Sequence, residues 1–176
     1  MAFTDLINPF HIYVFSTSFW YFLRGIVRVI DPATVCGWFR PPSQGFVDPN
    51  DLELYTTRTD AYCLLALSFI LLIISDAVPL PSSYTTSALV PPPSDTTRPK
   101  SPYAKAIIFV TLLHHAATCA GAYTHWVKPT HWTVAMSIGV WGNLALIAVG
   151  IVALRSDFDE KRDDVVVGGR KVGKTA

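Results

Sequence analysis

Four long apolar runs are separated by stretches rich in charge, proline or turn residues. The first, Phe10–Ile30 (FHIYVFSTSFWYFLRGIVRVI), is crowded with aromatic residues and carries Arg24 and Arg28 in its second half. The second is Ala61–Leu80, with Asp76 near its end, and the third is Tyr103–Tyr123. The fourth, Thr133–Leu154 (TVAMSIGVWGNLALIAVGIVAL), is the most apolar. Each is close to the roughly 20 residues that carry a helix across a bilayer. The pattern predicts an all-α, polytopic membrane protein: a bundle of four transmembrane helices over about 10–30, 61–80, 103–123 and 133–154. Four buried helices of a soluble protein are the competing explanation. A chain of 176 residues would then have too little polar surface left to cover them. The N-terminus has no basic leader and no small-residue cleavage site, so the first run is expected to stay as a membrane helix.

The connections are of two kinds. Residues 79–102 (PLPSSYTTSALVPPPSDTTRPKSP) hold seven prolines and nine Ser or Thr, which excludes a helix or a ladder strand and predicts an extended loop. The 31–60 connection contains Trp38 and Phe39 between "RPP" and "DPND" turns, and is expected to pack on the membrane face. Residues 124–132 (THWVKPTHW) make the turn between the last two spans. Trp126 and Trp132 mark the membrane interface there, and His125 and His131 are expected to be interfacial.

Composition sharpens this picture. Hydrophobic residues make up 51% and charged residues 15%, against about 25% charged in soluble domains. Of the 27 charges, from 14 Lys and Arg and 13 Asp and Glu, eleven fall in 155–176. That segment is expected to be a disordered, charge-mixed tail. A net charge of +1 gives no dense basic face for nucleic acid. Three scattered cysteines form no disulfide framework. With four spans, the Pro-rich side and the tail gather nine basic residues against five on the other side. That places both termini in the cytoplasm.

One motif misleads. GGRKVGKT (168–175) fits the phosphate-cradling loop G-x-x-x-x-G-K-[ST], with an apparent strand at Val165–Val167 before it. That chemistry needs a helix whose N-terminus meets the phosphates; with one residue after the motif in this sequence, the match is expected to be a chance occurrence in a Gly/Lys-rich tail.

Candidate chemistry lies in the ionisable residues at membrane depth, which are costly there. At about 1.5 Å per residue, His114 and His115 sit about 14 Å beyond Lys105, near the midplane. Asn143 is level with them from the opposite direction, as are Ser16, Thr17, Ser18 and Ser68. A midplane layer of imidazole, carboxamide and hydroxyl groups is expected. A metal would want three or four convergent ligands, and no carboxylate lies at this depth, so no metal is assigned. Toward the lumenal face, Arg24 and Arg28 meet Arg58 and Asp60, with Arg24 and Asp60 the expected pair. Small-x-x-x-small spacing at Ala116/Ala120 and Ala117/Gly121 predicts close packing of the last two spans.

A first span followed by DPATVCGWF, then LYTTRTDAY opening the second span and two closing spans, resembles small DoxX-like four-helix membrane proteins. It is also similar to small fungal membrane proteins of polyketide and terpenoid pathways, some of them hydrolases or cyclases, and to the four-span sterol-biosynthesis scaffold of the endoplasmic reticulum. The resemblance implies a multi-pass protein of the endoplasmic reticulum working in secondary metabolism. The expected function is a membrane enzyme, a hydrolase or isomerase, acting on a lipophilic small molecule by acid–base chemistry without a cofactor. Epoxide opening, cyclisation and isomerisation are reactions of that kind. The candidate catalytic residues are Asp60, Arg58, Arg24, His114 and His115, with Asn143, Trp20 and Trp141 contacting substrate. A non-catalytic scaffold that tethers other membrane biosynthetic enzymes is the alternative.

Overall fold

The computed structural model describes residues 8–75 and 104–170, with side chains over 8–75 and 105–156. The expected Pro-rich loop and Asp76 lie outside these residues. Among the described residues the fold is all-helical, with no strand: α1 (Pro9–Ile30), α2 (Pro32–Phe39), α3 (Asp51–Ile74), α4 (Ala104–Trp126) and α5 (Val134–Arg170). A single 3-10 turn, Pro42–Gln44, lies between α2 and α3.

Local chemistry sets the helix ends. Pro9 opens α1, and the Asn8 side chain accepts from the His11 backbone N–H at 3.0 Å. Pro32 disfavours helical geometry at Asp31, so α1 stops there. Asp31 then caps α2 through the Thr34 N–H, and those Thr34 hydrogen bonds hold its carboxyl below the usual range. A capping box of Asn50 and Glu53 starts α3. Helix two was expected to begin at residue 61, but the box starts it ten residues earlier, and LYTTRTDAY is helical throughout. At the other end of the chain, α5 continues to Arg170 through the stretch expected to be a disordered tail. Extending a nucleated helix needs only propagation, and Glu, Lys and Arg propagate it well. Val165–Val167 is therefore helical and not a strand.

Among the described residues, three helices are long and apolar enough to cross a membrane: Asp51–Ile74, Lys105–Trp126 and Val134–Ser156. No more than 28% of any of these apolar stretches is buried, so their outer faces are left for lipid. The 22 residues of α1 span about 33 Å, also sufficient in length. Its hydroxyls and two arginines keep it short of the same apolarity.

That helix is nonetheless the centre of the structure. It packs against α3 and α5, and α5 packs against α4, while α2 folds back over α1 and α3. Polar residues of α1 face inward at spacings of 4, 4, 3 and 4: Tyr13, Thr17, Tyr21, Arg24 and Arg28. Its Phe19, Phe22 and Leu23 face outward. Lipid reverses the burial rule of water, since polar groups gain most by turning to one another.

Close approach depends on glycine in α5. A Cβ on Gly150 would lie 2.6 Å from Leu112 and 2.7 Å from Tyr13, and one on Gly142 2.8 Å from the Trp20 ring. Of the small residues of α4, Ala122 shares in this, 3.3 Å from a Cβ placed on Gly139, but the expected pairs do not. Ala116, Ala117, Ala120 and Gly121 are exposed, and nothing lies within 4 Å of a Cβ placed on Gly121. The close approach is therefore made by the glycines of α5 and not by the expected Ala116/Ala120 and Ala117/Gly121 pairs, because α4 turns Ile108, Thr111 and His115 inward instead.

Candidate functional site

The space between α1 and α4 is bridged by side chains. The Tyr13 hydroxyl meets Thr111 Oγ1 at 2.7 Å. The Tyr21 ring sits 5.2 Å from His114 and 5.3 Å from His115 between centroids, and the two imidazoles are 6.0 Å apart. Tyr21, His115 and Asn143 are fully buried. On the α3 side, Ser18 and Ser68 lock the two helices by a 2.9 Å hydroxyl contact and bonds to each other's carbonyls.

The hydrogen bonds of Asn143 decide the chemistry of His115. The Asn143 amide N–H donates to the Gly139 carbonyl, leaving its oxygen as an acceptor. That oxygen lies 2.9 Å from His115 Nδ1, so Nδ1 is the nitrogen that donates. In the neutral ring that carries its proton on Nδ1, Nε2 presents a lone pair. Among the described residues His115 Nε2 has no partner. The same is true of the buried Thr17 Oγ1, Trp20 Nε1, Tyr21 hydroxyl, Arg24 Nη1 and His114 Nε2. Buried polar atoms are ordinarily paired, so six orphans on neighbouring turns of two helices mark a place built for something else to bind.

Above this centre, at the end where α1, α3 and the α4–α5 turn meet, lies a cavity of about 570 Å³. Its polar lining includes Arg28, Asp60, Arg40, Glu53, His125 and His131. Arg28 Nε pairs with Asp60 at 3.2 Å, its guanidinium sits 5.5 Å over Phe39, and it also donates to the Arg24 carbonyl. Arg40 pairs with Glu53 and holds the Val47 carbonyl, tying the α2–α3 loop down. The thiol of Cys36 lies 3.3 Å from Thr57 Oγ1.

The expected site residues divide. Arg24, His114, His115, Trp20 and Asn143 come together in the centre. Asp60 lines the cavity, but its partner is Arg28 and not Arg24. α1 and α3 run antiparallel, so Asp60 is level with the last turn of α1 while Arg24 lies one turn deeper. Arg58 is exposed: two residues from Asp60, it points to the opposite side of α3. Trp141 is 62% exposed on the outer face of α5, beside Trp126, and does not reach the centre. His125 and His131, expected to be merely interfacial, line the cavity with their rings 5.9 Å apart. Tyr21 was missed because a tyrosine in an aromatic run looks like filler. Its spacing from Tyr13 and Thr17 was the available signal.

A family model matches residues 13–163. The chain belongs to the DUF8792 family, a domain of unknown function. The matched DUF8792 stretch takes in every residue of the centre and both ion pairs of the cavity. Neither the curated proteins nor the solved structures contain a match to this chain.

Proposed function

We propose that this DUF8792 chain is an integral membrane enzyme that performs acid–base chemistry on a lipophilic small molecule. In this reading α1 is a fourth span, both termini are cytoplasmic, and the host membrane is the endoplasmic reticulum, as in the small fungal pathway proteins the sequence resembles. The reaction is an isomerisation, cyclisation or epoxide opening that needs no redox cofactor. The observation that carries the proposal is the set of buried polar atoms on Thr17, Trp20, Tyr21, Arg24, His114 and His115 that have no partner among the described residues. His115 Nε2, oriented by Asn143, takes a proton from the substrate. The Tyr21 hydroxyl donates to the oxygen where negative charge develops, and Arg24 supplies a positive field. Asp60 is half-exposed and committed to Arg28, so the histidine beneath it serves as the base in this reading.

The test is incubation of the purified protein, in bilayer nanodiscs, with a lipophilic extract of its source cells. A product isomeric with its substrate, or differing from it by one water, is expected. His115→Gln should slow its formation by about 10²–10⁴-fold. No product, or equal turnover by His115→Gln, would overturn the proposal. The uncovered small-residue face of α4 favours a second reading, a scaffold for other membrane biosynthetic enzymes. That reading expects such enzymes to co-purify and Arg24 and His115 variants to be silent.

A further inference from the structure

The charges of the site do not balance. Among the described residues, Glu53 is taken by Arg40 and Asp60 by Arg28. Arg24 has no ion pair there, and its buried Nη1 has no hydrogen-bond partner. Among the described residues, one carboxylate facing two guanidiniums leaves a single positive charge in the interior of the bundle. An unpaired cation is among the costliest groups to keep at membrane depth. The donors around it, the Trp20 indole N–H and the Tyr21 hydroxyl, are also unsatisfied.

We infer that the centre holds the carboxylate of a long-chain amphipathic acid, anchored on Arg24, with its hydrocarbon tail leaving past His114 into the bilayer. This rests on reading the centre as a ligand site, and it names the class of molecule bound there. A single net charge matches a monoanion, and a planar guanidinium matches a carboxylate bidentately. Arg24 lies six residues inside the end of α1, about 9 Å below it. A carboxylate terminates its chain and can enter tip-first to that depth, whereas a phosphodiester headgroup carries substituents on both sides. His114 is only half-buried, and its neighbours Leu113 and Ala117 are exposed on the outer face of α4, which gives the tail an apolar way out. With Arg24 engaged by the carboxylate, His115 Nε2 and the Tyr21 hydroxyl remain free to act on the adjoining part of the molecule.

Three probes with one tail decide the matter: oleate, oleyl alcohol and oleyl phosphate, titrated onto the full chain in phosphatidylcholine nanodiscs. Oleate is expected to bind at least tenfold tighter than either of the others. Arg24→Gln should weaken oleate tenfold or more and leave oleyl alcohol unchanged. Arg24→Lys, which keeps the charge but loses the bidentate fork, should retain only part of the oleate preference. Without ligand, Arg24→Gln should melt no lower than the wild type, because it removes an unbalanced charge. A purely structural arginine would lower the melting point instead. Equal binding of oleate and oleyl alcohol, or tighter binding of oleyl phosphate, overturns the inference. If Arg24→Gln does not insert, the three-probe comparison on the wild type decides alone. Oleate preference without turnover of any lipid extract would sink the enzyme reading and leave this one standing. Turnover of a neutral lipid without oleate preference would do the reverse.

Discussion

Replacing Asn143 with leucine probes the group that orients the proposed base. Asn143 and His115 are both fully buried and share a 2.9 Å hydrogen bond, and the Asn143 amide is also bonded within its own helix. Leucine has a similar volume, so little cavity forms and the loss is mainly polar. His115 Nδ1 is left without an acceptor, which costs about 1–3 kcal/mol in a water-soluble protein. Interhelical hydrogen bonds in membranes measure less, about 0.6 kcal/mol on average and about 1.7 at most. Asn143→Leu is therefore expected to destabilise the bundle by about 1–2 kcal/mol. Adding His115→Leu removes both polar partners and should recover part of that loss, with a coupling energy of about 0.6–1.7 kcal/mol. Reversible unfolding in mixed micelles with increasing SDS measures all four corners of the cycle. Additive single and double variants, within about 0.3 kcal/mol, would refute the bond and with it the tautomer assigned to His115.

Three further outcomes follow from the packing. Gly150→Ala places a methyl against Leu112 and Tyr13 and should cost about 1–3 kcal/mol, whereas Gly121→Ala meets open space and should be neutral or slightly stabilising in the same unfolding assay. Ser18→Ala breaks two of the buried α1–α3 contacts and should cost about 1 kcal/mol. Asp60→Asn weakens an ion pair whose acid is 53% exposed, so its stability loss should stay below about 1 kcal/mol and shrink in high salt.

How much of this was legible in the sequence depended on which coordinate was asked for. Depth followed from a constant helical rise, and counting inward from Lys105 and Trp132 was enough to bring His115 and Asn143 together. Rotation about the axis was harder. Arg24 and Arg28 are equally plausible partners for Asp60 until the antiparallel register of α1 and α3 is known, and Gly25 packing on Ala61 and Leu65 fixes that register. Arg58 and Asp60 look like one cluster in a line of letters but lie on opposite sides of a helix. The polar stripe of α1 was legible in principle, at spacings of 4, 4, 3 and 4. It was hidden because tyrosine counts as apolar in a run of aromatic residues. Small-x-x-x-small spacing named two helices correctly as close neighbours and the wrong residues as the contact, since the spacing does not say which partner supplies the groove. The early start of α3 could have been read from Asn50 and Glu53, which carry the capping-box pattern within what looked like a turn.

The central claim is that the inward stripe of α1, together with His115, forms a working centre, while the outward residues serve only the membrane. Cells lacking the native gene, complemented with single variants at matched membrane levels, test it directly through their lipid profiles. Arg58→Gln and Trp141→Phe, on the outer faces, are expected to restore the wild-type profile. Arg24→Gln and His115→Gln are expected to leave the profile of the deletion. Restoration by all four variants, or by the inner pair and not the outer pair, would contradict the account.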